Sequence, residues 1–117
     1  MYGALEKLIQ NSVPAHFASL SPYTFFPHVT LTSEIPEKID NPQAWLDALE
    51  LPFADEVKVR FQYLDVEKPF FRKCNIAVEK DGVSELALEC RSKGVENDRR
   101  KAAEWIEQQY RPHCSLL

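Results

Sequence analysis

The sequence predicts an α+β domain of antiparallel sheets with flanking helices, and three observations lead there. Val57, Val59, Phe61 and Tyr63 alternate with Lys58, Arg60 and Gln62, the period of two that a half-buried antiparallel strand requires. Helical periods lie towards both ends, at Ala4, Leu5, Leu8 and Ile9 and again at Ala102, Ala103, Trp105 and Ile106. Two short segments, Pro27 to Leu31 and Pro112 to Leu116, then share the pattern Pro-His-x-Thr/Ser-Leu in strand-like surroundings. With 117 residues, 44% of them apolar, residues 1–117 have the length and core content of one domain.

Tyr2 to Gln10 is the first helix, its wet face carrying Glu6, Lys7 and Gln10. Asn11 to Ser21 reads as a loop or a second short helix, punctuated by Pro14 and closed by Ser21-Pro22. Thr24 to Ser33 is aromatic and β-branched, hence a strand, with Pro27 confined to its start or to an edge. Asn41-Pro42 has the form of an N-cap followed by proline at the first helical position, and Trp45, Leu46 and Leu49 would be the buried stripe before Pro52. After the alternating run, Phe70 to Glu79 repeats the pattern through Cys74, Ile76 and Val78, so the Asp65 to Pro69 turn would close a hairpin. Val83 to Tyr110 reads as two helices, although Leu86, Leu88 and Cys90 in the first also suit a strand. Gly94 would separate them as a C-cap, Asp98 would cap the second, Pro112 would stop it, and His113 to Leu117 would resume as a strand.

Net charge of −4 and a pI near 5.4 give no basic footprint for duplex DNA or long RNA, whereas a nucleotide-sized ligand needs only a local positive site. No apolar run approaches the ~18 residues of a membrane span, and the N-terminus lacks a basic flank followed by an apolar stretch. The expectation is a soluble intracellular protein, cytoplasmic, with Golgi association left open. Cys74, Cys90 and Cys114 are odd in number and widely spaced, so they read as reduced thiols used as small buried apolar groups.

The repeated motif carries the chemistry. Residues two apart on a strand share a face, so His28 stands beside Thr30 and His113 beside Ser115. An imidazole titrates near neutral pH, and a hydroxyl both donates to and accepts from phosphate oxygens. Two such units facing each other offer a proton acceptor, a proton donor and two phosphate ligands.

Pro27-His28-Val29-Thr30-Leu31-Thr32-Ser33 and Tyr110-Arg111-Pro112-His113-Cys114-Ser115-Leu116-Leu117 resemble the paired motifs of the 2H phosphoesterase superfamily, and within it the fungal 2′,3′-cyclic-nucleotide 3′-phosphodiesterase (cyclic phosphodiesterase) family. The Phe70-Phe71-Arg72-Lys73 strand entry and the Ala103-Glu104-Trp105-Ile106 helix are similar to that family too. The resemblance implies two pseudo-symmetric lobes around a central cleft, with His28 and His113 catalytic and Thr30 and Ser115 binding substrate. It implies metal-independent hydrolysis of small cyclic phosphodiesters, 2′,3′-cyclic nucleotides to the 2′-phosphate and ADP-ribose 1″,2″-cyclic phosphate as a second substrate, with no cofactor. Family members usually begin with a strand ahead of the first helix and continue past the second motif. The resemblance therefore covers the middle of a two-lobed domain and implies sheet edges that self-association would cover. A truncated, non-catalytic nucleotide- or phosphate-binding fragment of the same fold is the rival reading.

Other residues have plainer readings. Cys114, on the opposite strand face from His113 and Ser115, reads as core, like Val29. Phe25, Phe26, Phe70 and Phe71 suit either base stacking or core filling. His16 reads as a loop residue, Trp105 as core, and Asp98 to Lys101 as a solvated helix start. Glu34 to Asp40 has no defensible metal-ligand spacing.

Overall fold

The computed structural model describes residues 1–16, 25–37, 39–66 and 74–116. The alternating run forms strand β1 only over Phe61–Asp65, later than its first valine. Strand β2, Asn75–Val78, pairs antiparallel with it, Leu64 opposite Ile76 and Asp65 opposite Asn75, with a register shift between Phe61 and Leu64. The expected hairpin is present, while most of its turn, together with Phe70 and Phe71, lies outside the described residues. Strand β3, His113–Ser115, adds to the far side of β2, giving a three-stranded antiparallel sheet in the order β1-β2-β3. Its register sets Asn75 opposite Ser115, Ile76 opposite Cys114 and Ala77 opposite His113. The expected Leu117 end of this strand lies outside the described residues. Helices with an antiparallel sheet make the fold α+β, as the sequence predicts.

The chain divides into two compact units. The first comprises Met1–Val29, Phe61–Val78 and His113–Leu117, and holds the whole sheet. Helix α1, Tyr2–Lys7, runs through a wider π turn at Leu8–Ser12 into helix α2, Val13–His16. The sequence predicts a first helix to Gln10 and then a loop or a second short helix. Helix instead runs on through the π turn and past Pro14, the second residue of α2. The rest of that expected segment, from residue 17 to Ser21-Pro22, lies outside the described residues. Ile9, Val13 and Leu116 form the core of this unit, with Leu5, Leu8, Phe25, Cys74 and Ile76 packed on it. The helix therefore covers the sheet face that carries Cys74, Ile76 and Leu116. Asn75, Ala77, His113 and Ser115 fall on the other face.

The second unit comprises Thr30–Arg60 and Glu79–Pro112. Asn41 caps helix α3, Pro42–Asp47, by accepting a 3.1 Å hydrogen bond from the Ala44 amide, and Pro42 takes the first position. Its stripe is less buried than expected: Trp45 and Leu49 are half-buried, and Leu46 is 50% exposed. The segment Ser84–Arg91 is a helix, α4, which settles the helix-or-strand ambiguity; it hides Ala87, Glu89, Cys90 and Arg91, with Val83 buried just before it. The chain continues through Gly94 in a π turn, Ser92–Glu96, so Gly94 is not the C-cap. Asn97, at φ 53°, takes the left-handed position instead. Gly94 answers to packing, since a Cβ there would come within 2.9 Å of the Trp45 ring. Asp98 caps helix α5, Arg99–Gln108, accepting from the amides of Arg100 at 2.9 Å and Lys101 at 3.3 Å.

Glu89 ties this unit together. Its carboxylate accepts from the Glu50 amide at 2.8 Å and pairs with Lys93 at 2.7 Å and Arg99 at 3.5 Å. Burial pushes the Glu89 carboxyl up, but the bonds from Lys93 and the Glu50 amide, with the charges of Lys93 and Arg99, win and hold it below the ordinary carboxylate range. A carboxyl depressed in the folded state contributes stability that is present above the unfolded value and lost as pH falls through the folded one. Urea unfolding is therefore expected to show stability falling below about pH 4–5, and Glu89→Gln to flatten that decline.

Candidate active site

The first motif is not the regular strand expected over Thr24 to Ser33. Thr24 lies outside the described residues, and the segment from Phe25 onward is extended, with a single antiparallel bridge, Val29 opposite Cys114. Three facts keep the ladder from growing. Pro27 has no amide to donate. The carbonyl of Phe26 lies 2.7 Å from His28 Nδ1, and that of Thr30 accepts from the Tyr110 hydroxyl at 2.9 Å.

One bridge suffices to align the motifs within the first unit. In an antiparallel crossing, the residue before Val29 comes level with the residue after Cys114, so His28 stands level with Ser115. His113, two residues before Ser115 on β3, lies on the same strand face as Ser115. Burial agrees with this facing: Cys114 and Leu116 are buried, while His113 and Ser115 are half-buried and His28 is exposed. Thr30 is exposed and belongs to the second unit.

The His28 ring is held from two directions. A carbonyl oxygen only accepts, so the contact with Phe26 puts the proton on Nδ1 and leaves Nε2 as the lone-pair nitrogen of the neutral ring. Phe25 packs edge-on against the imidazole, centroids 5.9 Å apart at 73°. His113 pairs with Ala77 across β3 and β2. Burial pushes the Cys114 thiol up, with a hydrogen bond from the His28 backbone acting against it. The other two thiols, Cys74 and Cys90, are also raised by burial. All three thiols are free and protonated at neutral pH, in keeping with a packing role.

Several alternatives are now decided. Phe25 belongs to the core layer, whereas Phe26 is 65% exposed. His16 ends α2, exposed, rather than lying in a loop. In the basic run after Asp98, Arg99 pairs with Glu89, and the amides of Arg100 and Lys101 serve the cap. No helix among the described residues is long and apolar enough to cross a membrane.

Asn75 escaped the sequence reading. It lies directly opposite Ser115, on the face of His113, and is 3% exposed, with no hydrogen-bond partner for its amide nitrogen among the described residues. The available signal was an asparagine in an otherwise apolar strand, a residue type depleted there. A buried unpaired amide costs about 1–3 kcal/mol, so Asn75→Val is expected to keep or raise the melting temperature, as measured by circular dichroism.

The family model described as "Cyclic phosphodiesterase-like protein" matches residues 1–117. A 2′,3′-cyclic-nucleotide 3′-phosphodiesterase from Phaeosphaeria nodorum is 45% identical over 112 residues, which are 92% of this chain and 56% of that protein. A protein of the same name from Neurospora crassa is 36% identical over 135 residues, covering 100% of this chain and 64% of its own length. The chain thus spans less than two thirds of either relative. No solved structure matches it. A match over all 117 residues, joined to two His-x-Thr/Ser segments bridged side by side, shows that the chain belongs to the cyclic phosphodiesterase-like protein family.

Proposed function

We propose that this chain hydrolyses 2′,3′-cyclic nucleotides to nucleoside 2′-phosphates by general acid–base catalysis between His28 and His113. The observation that carries the reading is the antiparallel Val29–Cys114 bridge, which brings the two motifs alongside each other. The printed names of both relatives support the substrate class. One neutral imidazole takes a proton from water as its oxygen attacks phosphorus. The other, as imidazolium, protonates the departing 3′ oxygen, so the ring opens with charge and protons balanced. For His28 the hydrogen bond at Nδ1 favours Nε2 as the reacting nitrogen. Hydroxyls of Thr30 and Ser115 hold the non-bridging oxygens as negative charge grows in the pentacoordinate transition state. Both proton transfers are carried by side chains, so the scheme calls for neither metal nor cofactor. ADP-ribose 1″,2″-cyclic phosphate presents the same strained diester and would open to the 1″-phosphate. In this reading residues 1–117 contribute to one 2H phosphoesterase-like domain.

Incubation with cyclic 2′,3′-AMP, with and without EDTA, followed by chromatography, tests the proposal. The expected product is 2′-AMP, unchanged by EDTA, with a bell-shaped pH dependence whose limbs belong to the coupled pair. Production of 3′-AMP alone, or loss of activity with EDTA, contradicts it. Binding of 2′-AMP without turnover would favour the non-catalytic reading. Size-exclusion mass reports whether sheet edges draw two copies together.

A further inference from the structure

We infer that Tyr110 is a positioning residue for the first motif, holding the Thr30 peptide so that its hydroxyl is presented in one orientation; the inference rests on the proposed role of Thr30. Tyr110 is buried, and its hydroxyl donates to the Thr30 carbonyl at 2.9 Å. Burial of the ring requires no such bond, since phenylalanine would fill the same space. The phenol is pushed up to about 12, by burial and then by Cys90, so it remains a donor across the neutral range.

The same tyrosine ends a column of stacked groups. Trp105 stacks on Tyr110 with centroids 5.1 Å apart and planes at 29°, and the Arg91 guanidinium lies 4.3 Å over the Trp105 ring. Arg91 in turn donates to the Ser33 carbonyl at 3.1 Å and to the Glu34 carboxylate at 3.0 Å. Glu34 has φ 63°, a left-handed conformation that a non-glycine residue keeps only when its surroundings hold it. Residues 30–34 are thus gripped at one end by Tyr110 and at the other by Arg91. Val29, the residue before this segment, makes an isolated antiparallel bridge with Cys114. The backbone that aims Thr30 is therefore fixed by the column, and a misplacement of about 1 Å at a reacting centre can cost on the order of a hundredfold.

A double-mutant cycle tests this with cyclic 2′,3′-AMP as substrate. Tyr110→Phe keeps the stack and removes the hydroxyl. It is expected to lower kcat about tenfold with KM little changed and a near-native melting temperature, because only orientation in the transition state is lost. In a Thr30→Ala background the same change is expected to cost less than about twofold. Wild-type kcat in Tyr110→Phe, or an undiminished loss in the Thr30→Ala background, overturns the inference. If Tyr110→Phe does not fold, Arg91→Lys must show the same coupling to Thr30→Ala, and its absence is equally fatal. Should the wild type bind 2′-AMP without turnover, the cycle is read as affinity by calorimetry with the same coupling required. Turnover without coupling removes this inference alone. A protein that neither turns over cyclic AMP nor binds 2′-AMP removes both this inference and the proposed function.

Discussion

Replacing His113 with alanine is expected to reduce turnover of cyclic 2′,3′-AMP by about 10²–10⁴-fold, the contribution of a positioned acid or base, while the protein stays folded. The strand residues that serve the core are Cys114 and Leu116, and the imidazole lies on the opposite face from them. His28→Ala is expected to lose a comparable factor, since the ring is exposed and its hydrogen bond is made to the nearby Phe26 carbonyl. The double variant should be little worse than the poorer single one, because acid and base act as a unit in one displacement. Chromatography of 2′-AMP, beside circular dichroism melts, makes the comparison. The pH profile adds an assignment. A base must be deprotonated and sets the rising limb, whereas an acid must be protonated and sets the falling one. Loss of the rising limb in one variant would mark that histidine as the base. Undiminished turnover in His113→Ala would end the two-histidine mechanism.

Arg91→Ala is expected to give the largest loss of stability, about 3 kcal/mol in urea unfolding. Arg91 is 4% exposed and serves four groups at once: the Ser33 carbonyl, Glu34, Glu96 at 2.9 Å and the Trp105 face. Removing one partner of a buried ion pair typically costs about 3–5 kcal/mol, because the other charge is left without compensation. The lower end applies here. The Glu34 side chain is 70% exposed and regains water once released, while that of Glu96, 25% exposed, regains less. A loss under about 1 kcal/mol would show that the guanidinium behaves as an ordinary surface partner.

The helix caps were legible because capping is local. Asn41 and Asp98 each satisfy amides two or three residues ahead, and residue type with spacing is enough to find them. The facing of β3 was legible for a similar reason, since period two forces Cys114 and Leu116 away from His113 and Ser115. Gly94 misled because the residue that turns left-handed is Asn97, while the glycine answers to a Trp45 ring distant in sequence. The motif strand is reduced to one bridge in part because a tyrosine 80 positions away takes the Thr30 carbonyl. Asn75 stayed unnoticed because its importance comes only from what lies across the sheet.

What the amino-acid sequence by itself determined is the chemical content of the site, two imidazoles each with a hydroxyl two residues on, since side-chain identity and strand period are properties of the local chain. The tertiary structure alone decided that these segments run antiparallel beside each other and that a stacked column grips the first of them. Those outcomes depend on backbone and ring contacts between residues remote in the chain, which no local propensity specifies.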